Sequence, residues 1–240
     1  MAFIHSPRIV TDGLVMCLDA ANARSYVSGS TIWRDLIQTN VTASLINGPS
    51  FDGRNAGSIV FDGTNDYGSV QSVSGVTDFT LTDPYTVDFW VYVNNTQNDT
   101  VGDNSIIEKW NQNSTGGYPY VFRFIRATDG LTTIVSNGVG GSTNATITII
   151  RDTWVHICGV FNQPANSLIL YGNGGQLRAS ATYVGLTSGT ISNTDPISLM
   201  SRQTIRRATG NLANLKIYNR ALSASEVLQN YNALRSRFGV

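Results

Sequence analysis

Residues 85–93 read YTVDFWVYV. In an extended chain Tyr85, Val87, Phe89, Val91 and Val93 fall on one side, and Thr86, Asp88, Trp90 and Tyr92 on the other. That two-residue period predicts a strand whose faces meet different surroundings. Residues 119–127, PYVFRFIRA, repeat the pattern, with Tyr120, Phe122 and Phe124 opposite Val121, Arg123 and Ile125. The runs NATITII, TWVHICGVF and NSLILYG add further strands, separated by the turn clusters NGVGGSTN and GNGG. In ILYGNGGQLRAS the hairpin is expected to turn at Asn173-Gly174, since both residue types tolerate positive φ. No helical period alternates with these strands, so the pattern predicts an antiparallel sandwich. No internal repeat or low-complexity linker divides it, and one domain is the simplest organisation.

The pattern changes once, at the end. Ser223-Ala224-Ser225-Glu226 reads as a capping box, with Leu222 and Val227 placed for a hydrophobic staple. Val227, Leu228, Tyr231, Leu234 and Phe238 make an apolar stripe. Arg235 and Arg237 suit the C-terminal end of the helix dipole, and Gly239 lies where the helix can stop. A helix of about four turns is marginal alone in water, so this one must lay its stripe on the sandwich. The expected layout is an N-terminal arm over residues 1–12, a sandwich over 13–220 and a docked helix over 221–240. The arm carries Phe3, Ile4, Ile9 and Val10 around Pro7, and is expected to contact a partner or another copy.

Composition narrows the function. Charged residues are 13% of the 240, about half the usual ~25%. Lys+Arg and Asp+Glu both number 16, which leaves no basic stripe for phosphates and argues against nucleic-acid binding. No apolar run approaches the ~18 residues of a membrane span. The start MAFIHSPRIVTDG lacks the cationic and apolar segments of a signal peptide, so synthesis in a cytoplasm is expected. Cys17 and Cys158 lie in apolar strand-like runs and read as free buried thiols, although a pairing between them cannot be judged from sequence.

Sugar recognition needs an aromatic platform with amide or carboxylate partners. Trp110, Asn111, Asn113 and Tyr118 fall in one expected loop, and Asn95 and Asp103 belong to another. The two loops are expected to gather at one rim. The competing reading packs Trp110 under its own loop. Trp90 and Tyr92 form a second aromatic pair, for which a covering helix or loop is the simpler account. Asp62, Asn65 and Asp66 in FDGTNDY offer oxygens suited to calcium, or else form a tight turn whose side chains bond its own backbone. His156 lies beside Trp154 and Cys158 on one strand face and reads as a packed, hydrogen-bonded core histidine.

The terminal LKIYNRALSASEVLQNY resembles the closing motif of laminin-G-like, concanavalin A-like lectin/glucanase jelly-roll domains. GLVMCLDAAN with TIWRDL, GSIVFDGTNDYGSV, and TVDFWVYV followed by IIEKW and TWVHICGVF are similar to the family's earlier strands, in order. The opening MAFIHSPRIVTDGLV and the ending NYNALRSRF are most similar to family members that serve as structural proteins of tailed bacteriophages, especially those of marine cyanobacteria. The resemblance implies an all-β antiparallel jelly roll with one C-terminal helix. It also implies a non-enzymatic virion structural or decoration protein, with weak glycan binding, placed against other virion proteins or copies of itself. The alternative is a glycan-binding adhesin that reads the host surface. Either way the chain would be made in the host cytoplasm and exposed on the particle. Some family members carry calcium-serving acids before the last strand, where this chain has Ala213 and Asn214. No cofactor is therefore expected beyond the calcium alternative at Asp62, Asn65 and Asp66. Retaining glucanases of this fold use two Glu in E-x-D-x-x-E, whereas this chain has only Glu108 and Glu226. No enzyme is expected.

Overall fold

The structure, a computed structural model, describes residues 8–97, 102–111 and 116–240. Its first sheet runs in the order β14 (Leu177–Thr182), β13 (Ser167–Gly172), β12 (Trp154–Asn162), β7 (Tyr85–Val93), β16 (Thr209–Tyr218), β5 (Ser58–Asp62), β4 (Ser50–Asp52), and β1 (Leu14–Asp19) also pairs with β16. The second runs β11 (Ser142–Thr148), β10 (Gly130–Ser136), β9 (Tyr118–Ile125), β8 (Asp103–Glu108), β15 (Ile197–Leu199), β6 (Tyr67–Val70), β3 (Thr42–Ile46), β2 (Ile32–Arg34). Neighbouring strands pair antiparallel throughout, and with one C-terminal helix this is the jelly-roll sandwich the sequence implies. The alternating residues behave as their period requires. Tyr85, Val87, Phe89, Val91 and Val93 join Tyr120, Phe122 and Phe124 in one core, where Phe89 meets Phe122 edge-on at 5.1 Å across the sheets.

The outer face of the first sheet is laid out in rows, because the register sets one residue of each strand beside the next. One row holds Val160, Thr86 and Tyr218, and the next Cys158, Asp88, Lys216 and Cys17. Then come His156, Trp90 and Asn214, and last Trp154, Tyr92, Asn211 and Val60. Helix α1 (Ala224–Phe238) covers the first three rows. Val227 and Leu222 pack with Cys158, Val160 and Tyr218, while Tyr231 and Phe238 stack on Trp90 at 5.7 and 4.2 Å.

The helix begins as its sequence dictates. Ser223 Oγ accepts from the Glu226 amide at 3.3 Å, and the Glu226 carboxylate accepts from the Ser223 amide at 2.8 Å. Gly239 closes it in the left-handed conformation, φ 72°, with its N–H on the Arg235 carbonyl. One residue of the expected stripe is misplaced. Leu228 is 45% exposed, and Asn230 lies fully buried on the inward face. The row beneath is polar, so an amide serves there better than a leucine. Asn230 Nδ2 donates to Asp88 and to the Tyr218 hydroxyl, both at 3.0 Å, and its Oδ1 accepts from the Val10 amide at 2.8 Å.

Val10 is itself buried among the helix contacts, and Tyr218 donates to its carbonyl at 3.1 Å. Gln229 donates to the Arg8 carbonyl at 2.8 Å. The expected arm over residues 1–12 is therefore packed on the domain across its described residues, 8–12, and residues 1–7 lie outside those described. Both cysteines are free and buried. They stand in one row with β7 and β16 between them, about 14 Å apart at the usual strand spacing, beyond disulfide reach.

Candidate functional site

The described ends of the two loops expected at one rim lie at opposite rims. They flank a single strand, β8, of 6 residues, which separates its ends by about 20 Å. Asn95 stays at the far end, where its amide donates to Asp152 at 2.8 Å and its carbonyl accepts from Arg151 at 3.0 Å. Asp103, Trp110 and Tyr118 gather instead around Arg123. Asp103 pairs with Arg206 and, at 3.5 Å, with Arg123. The rings of Trp110 and Tyr118 meet at 4.6 Å. Asn111 closes its own loop by donating to the Gly116 carbonyl, and Asn113 lies outside the described residues.

Trp110 carries more than Tyr118. The guanidiniums of Arg202 and Arg123 lie 4.1 and 5.0 Å from its ring centre, in cation–π range. Both also hold Glu108, which is fully buried. Its carboxylate accepts from Ser105 Oγ at 2.6 Å, Arg123 Nε at 2.7 Å, and Arg202 Nε and Nη2 at 2.7 and 3.3 Å. Trp110 is thus the roof of a buried ion cluster. The half-buried ring is engaged by Arg123 and Arg202.

Asp62, Asn65 and Asp66 share one turn between β5 and β6. Asp62 Oδ1 accepts from the Thr64 and Asn65 amides at 2.7 and 3.3 Å, and Asp66 Oδ2 accepts from the Asp62 amide at 3.3 Å. Burial and the nearby Asp62 charge push the Asp66 carboxyl above its ordinary range. The tight-turn alternative accounts for these contacts without an ion.

His156 is buried under the helix, its Nε2 3.0 Å from Asp88. The other Asp88 oxygen accepts from Lys216 at 2.5 Å. Burial would raise this carboxyl, but Lys216 and His156 outweigh that and hold it well below the carboxylate range. The group is a structural charge network, not an accessible triad. Lys109, unremarked in the sequence, is equally buried. Its Nζ donates to Ser72 Oγ at 2.9 Å and to the carbonyl and side chain of Asn193 at 2.8 and 3.0 Å, tying two loops together.

What remains open is the last row of the first sheet, where the helix has stopped. There Trp154, Tyr92, Asn211 and Val60 join Asp52, Arg54, Asn55 and Asn94 around a cleft of about 450 Å³, a volume ordinary for small-ligand sites. Tyr92 and Trp154 are half-buried and meet at 5.7 Å with their planes at 62°, forming a corner. Trp154 is held from behind by Phe238 at 4.7 Å and donates through Nε1 to Asn55 at 3.3 Å. The wall carrying Asn55 is fastened to the helix end. Asn55 Nδ2 donates to the Arg237 carbonyl at 2.9 Å, and Arg237 Nε donates to the Asn55 carbonyl at 2.6 Å. Arg54 meets Asp52 in a fork of 3.1, 3.0 and 2.8 Å, which holds the Asp52 carboxyl below its usual range. Sequence reasoning singled out Tyr92 but coupled it to Trp90, which the helix buries. It took Trp154 only as a strand residue. The available signal was antiparallel pairing: Trp154 opens β12 and Tyr92 nearly closes β7, so the two stand side by side.

The profile of the concanavalin A-like lectin/glucanases superfamily matches residues 62–228. No curated protein matches the chain in sequence. Among solved structures, the binding domain of Paraclostridial Mosquitocidal Protein 1 is similar, with a TM-score of 0.71 and 21% identity over 92% of this chain and 52% of that one. The binding domain of Botulinum Neurotoxin DC, solved in complex with SialylT, gives 0.70 and 11% over 93% and 52%. Trypanosoma rangeli sialidase, in complex with the inhibitor DANA, gives 0.66 and 12% over 95% and 35%. The chain thus spans about half the length of the toxin binding domains it matches and a third of the sialidase, and at these identities the likeness is one of fold. With the profile covering well over half the chain, and the sandwich, its closing strand and its capped helix all in place, the chain belongs to the concanavalin A-like lectin/glucanase superfamily.

Proposed function

We propose that this chain is a non-catalytic glycan-recognition domain, displayed in many copies on a virus particle. The observation that carries recognition is the open cleft at the end of the helix, which combines two angled aromatic rings with amides and a carboxylate–guanidinium pair. Burial of that row under the helix would have favoured a purely structural role. Two of the similar structures are, by description, binding domains of toxins, so recognition is a use to which related architectures are put.

Catalysis finds no support in the glutamates. A retaining glycosidase needs two carboxyl groups about 5–5.5 Å apart flanking the scissile bond. Glu108 is buried between Arg123 and Arg202, and Glu226 is bound to the helix cap and to Arg220. The particle setting, with copies of the chain or other virion proteins as neighbours, rests on the likeness of the chain's ends to phage structural proteins. A neutral, weakly charged surface suits close packing of copies. A single shallow cleft binds weakly, and multiple copies convert that into useful avidity.

The domain displayed on beads should bind a subset of an immobilised glycan panel and release no reducing sugar from β-glucans. Failure of the multivalent form to bind any glycan would refute recognition. Turnover lost on Glu108→Gln would refute the non-catalytic reading. An antibody to the domain should decorate tailed particles; labelling only of cell envelopes would remove the particle setting.

A further inference from the structure

The chemistry of the cleft also says what kind of glycan it takes, given the recognition role proposed above. We infer that it binds the neutral pyranose rings of a glycan, stacked in the corner between Tyr92 and Trp154, and that it rejects sialylated and other acidic sugars.

The stacking half follows from the row. Trp154, Tyr92, Asn211 and Val60 come from four adjacent strands in register, so the floor is rigid. The C–H face of a pyranose is apolar and its rim is hydroxyl. Such a ring fits an aromatic wall flanked by hydrogen-bonding groups. Asn94 forms no side-chain hydrogen bond among the described residues, and neither does the Tyr92 hydroxyl, so both can bond sugar hydroxyls. Asn211 donates through Nδ2 to Ser58 at 3.1 Å, which fixes its orientation.

The charge half follows from Arg54. It is the one cation among the lining residues, and Asp52 occupies its fork from both oxygens. Arg237, which fastens the Asn55 wall, is bonded to the Asn55 and Gly57 carbonyls and to Asp19. An incoming carboxylate would therefore meet the Asp52 charge and find no unpaired cation among the lining residues to answer it. A vicinal diol does better, since it can accept from the guanidinium edge and donate to the carboxylate without carrying charge. Binding through stacking and neutral hydrogen bonds is only weakly screened by salt.

The test uses the full chain on beads, with simple neutral methyl pyranosides and N-acetylneuraminic acid as competitors. Expected is displacement by at least one neutral pyranoside and none by N-acetylneuraminic acid, with midpoints that stay within about twofold between low and high salt. Trp154→Ala should weaken binding at least about tenfold. Asn94→Ala, which breaks no side-chain hydrogen bond among the described residues, should weaken it severalfold at a nearly unchanged melting temperature, so a folding defect in the first variant does not decide the matter. Asp52→Asn frees Arg54 and should admit N-acetylneuraminic acid. Preference of the parent for acidic glycans, or binding that falls steeply with salt, would overturn this inference and leave glycan recognition standing. Neutral binding indifferent to both Trp154→Ala and Asn94→Ala would place the site elsewhere and overturn it too. No binding to any glycan would refute the recognition role itself.

Discussion

Ser223 and Glu226 show how far one local motif reaches. Their reciprocal hydrogen bonds satisfy two amides that a helix start leaves without partners, and Arg220 grips the same carboxylate at 2.6 and 3.0 Å. Removing the cap hydroxyl by Ser223→Ala should cost about 1 kcal/mol, a drop of about 2–4 °C in melting temperature for a chain of this size. Circular dichroism should show the sheet intact; an unchanged melting temperature would mean that the helix does not depend on this start. The same carboxylate carries a pH dependence. The bond to Arg220 is the main reason that Glu226 titrates at about 2 in place of 4.5. Its contribution is whole above 4.5 and is lost as pH falls toward 2. Asp88, held low by Lys216 and His156, loses its share in the same direction. As pH falls from about 5 toward 2 these two groups should lower the melting temperature, and Glu226→Gln should flatten the early part of that decline. This motif was readable in the sequence because all of its partners lie within a few residues.

The helix as an element was less readable, because its inward face answers to a surface made far away in the chain. Its apolar positions announced that it must dock, and Tyr231 and Phe238 do stack on Trp90. Nothing near residue 230 announced that an asparagine would be the buried contact. Its partners, Asp88 and Val10, lie 142 and 220 positions away, and only the strand register brings them under one turn of helix. Asn230→Ala leaves a buried carboxylate oxygen and a buried amide each short of a partner. The cost should be about 1–3 kcal/mol, read as a lower denaturant midpoint at an unchanged slope. If the midpoint does not move, water serves these groups equally well and the amide is not what fastens the helix. The strands tell the opposite story. Their two-residue period was plain, and β7 and β9 each turn one alternating set of residues into a shared core. The rims were less readable, because adjacency in sequence across a single strand does not mean adjacency in space. A six-residue strand carries its two ends to opposite edges of the sandwich, so Asn95 and Trp110 never meet.

Across the whole molecule residues 8–12 and the C-terminal helix meet on one face of the first sheet. Val10 reaches Asn230 and Tyr218, Arg8 reaches Gln229, and Arg220 donates to the Asp12 carbonyl at 3.1 Å. The final helix therefore has the sheet below it and residues 8–12 at its flank. This bears on what residues 1–12 do. A segment serving only to contact a neighbour could be removed from the isolated domain without penalty. Here deletion of residues 1–10 strips out the Val10 side chain, worth about 1.5–3 kcal/mol when buried, and leaves the Asn230 oxygen without the amide it accepts. The truncated domain should keep its sheet and melt several degrees lower. Val10→Ser in the full chain should give part of the same loss, because the backbone bonds to Asn230 and Tyr218 survive the substitution. The cleft lies beyond the other end of the helix, beside Phe238, so the deletion should weaken glycan binding far less than Trp154→Ala does. If the deletion instead melts with the parent and only fails to join its assembly, the segment is a tether, and the contacts of residues 8–12 contribute nothing to the fold.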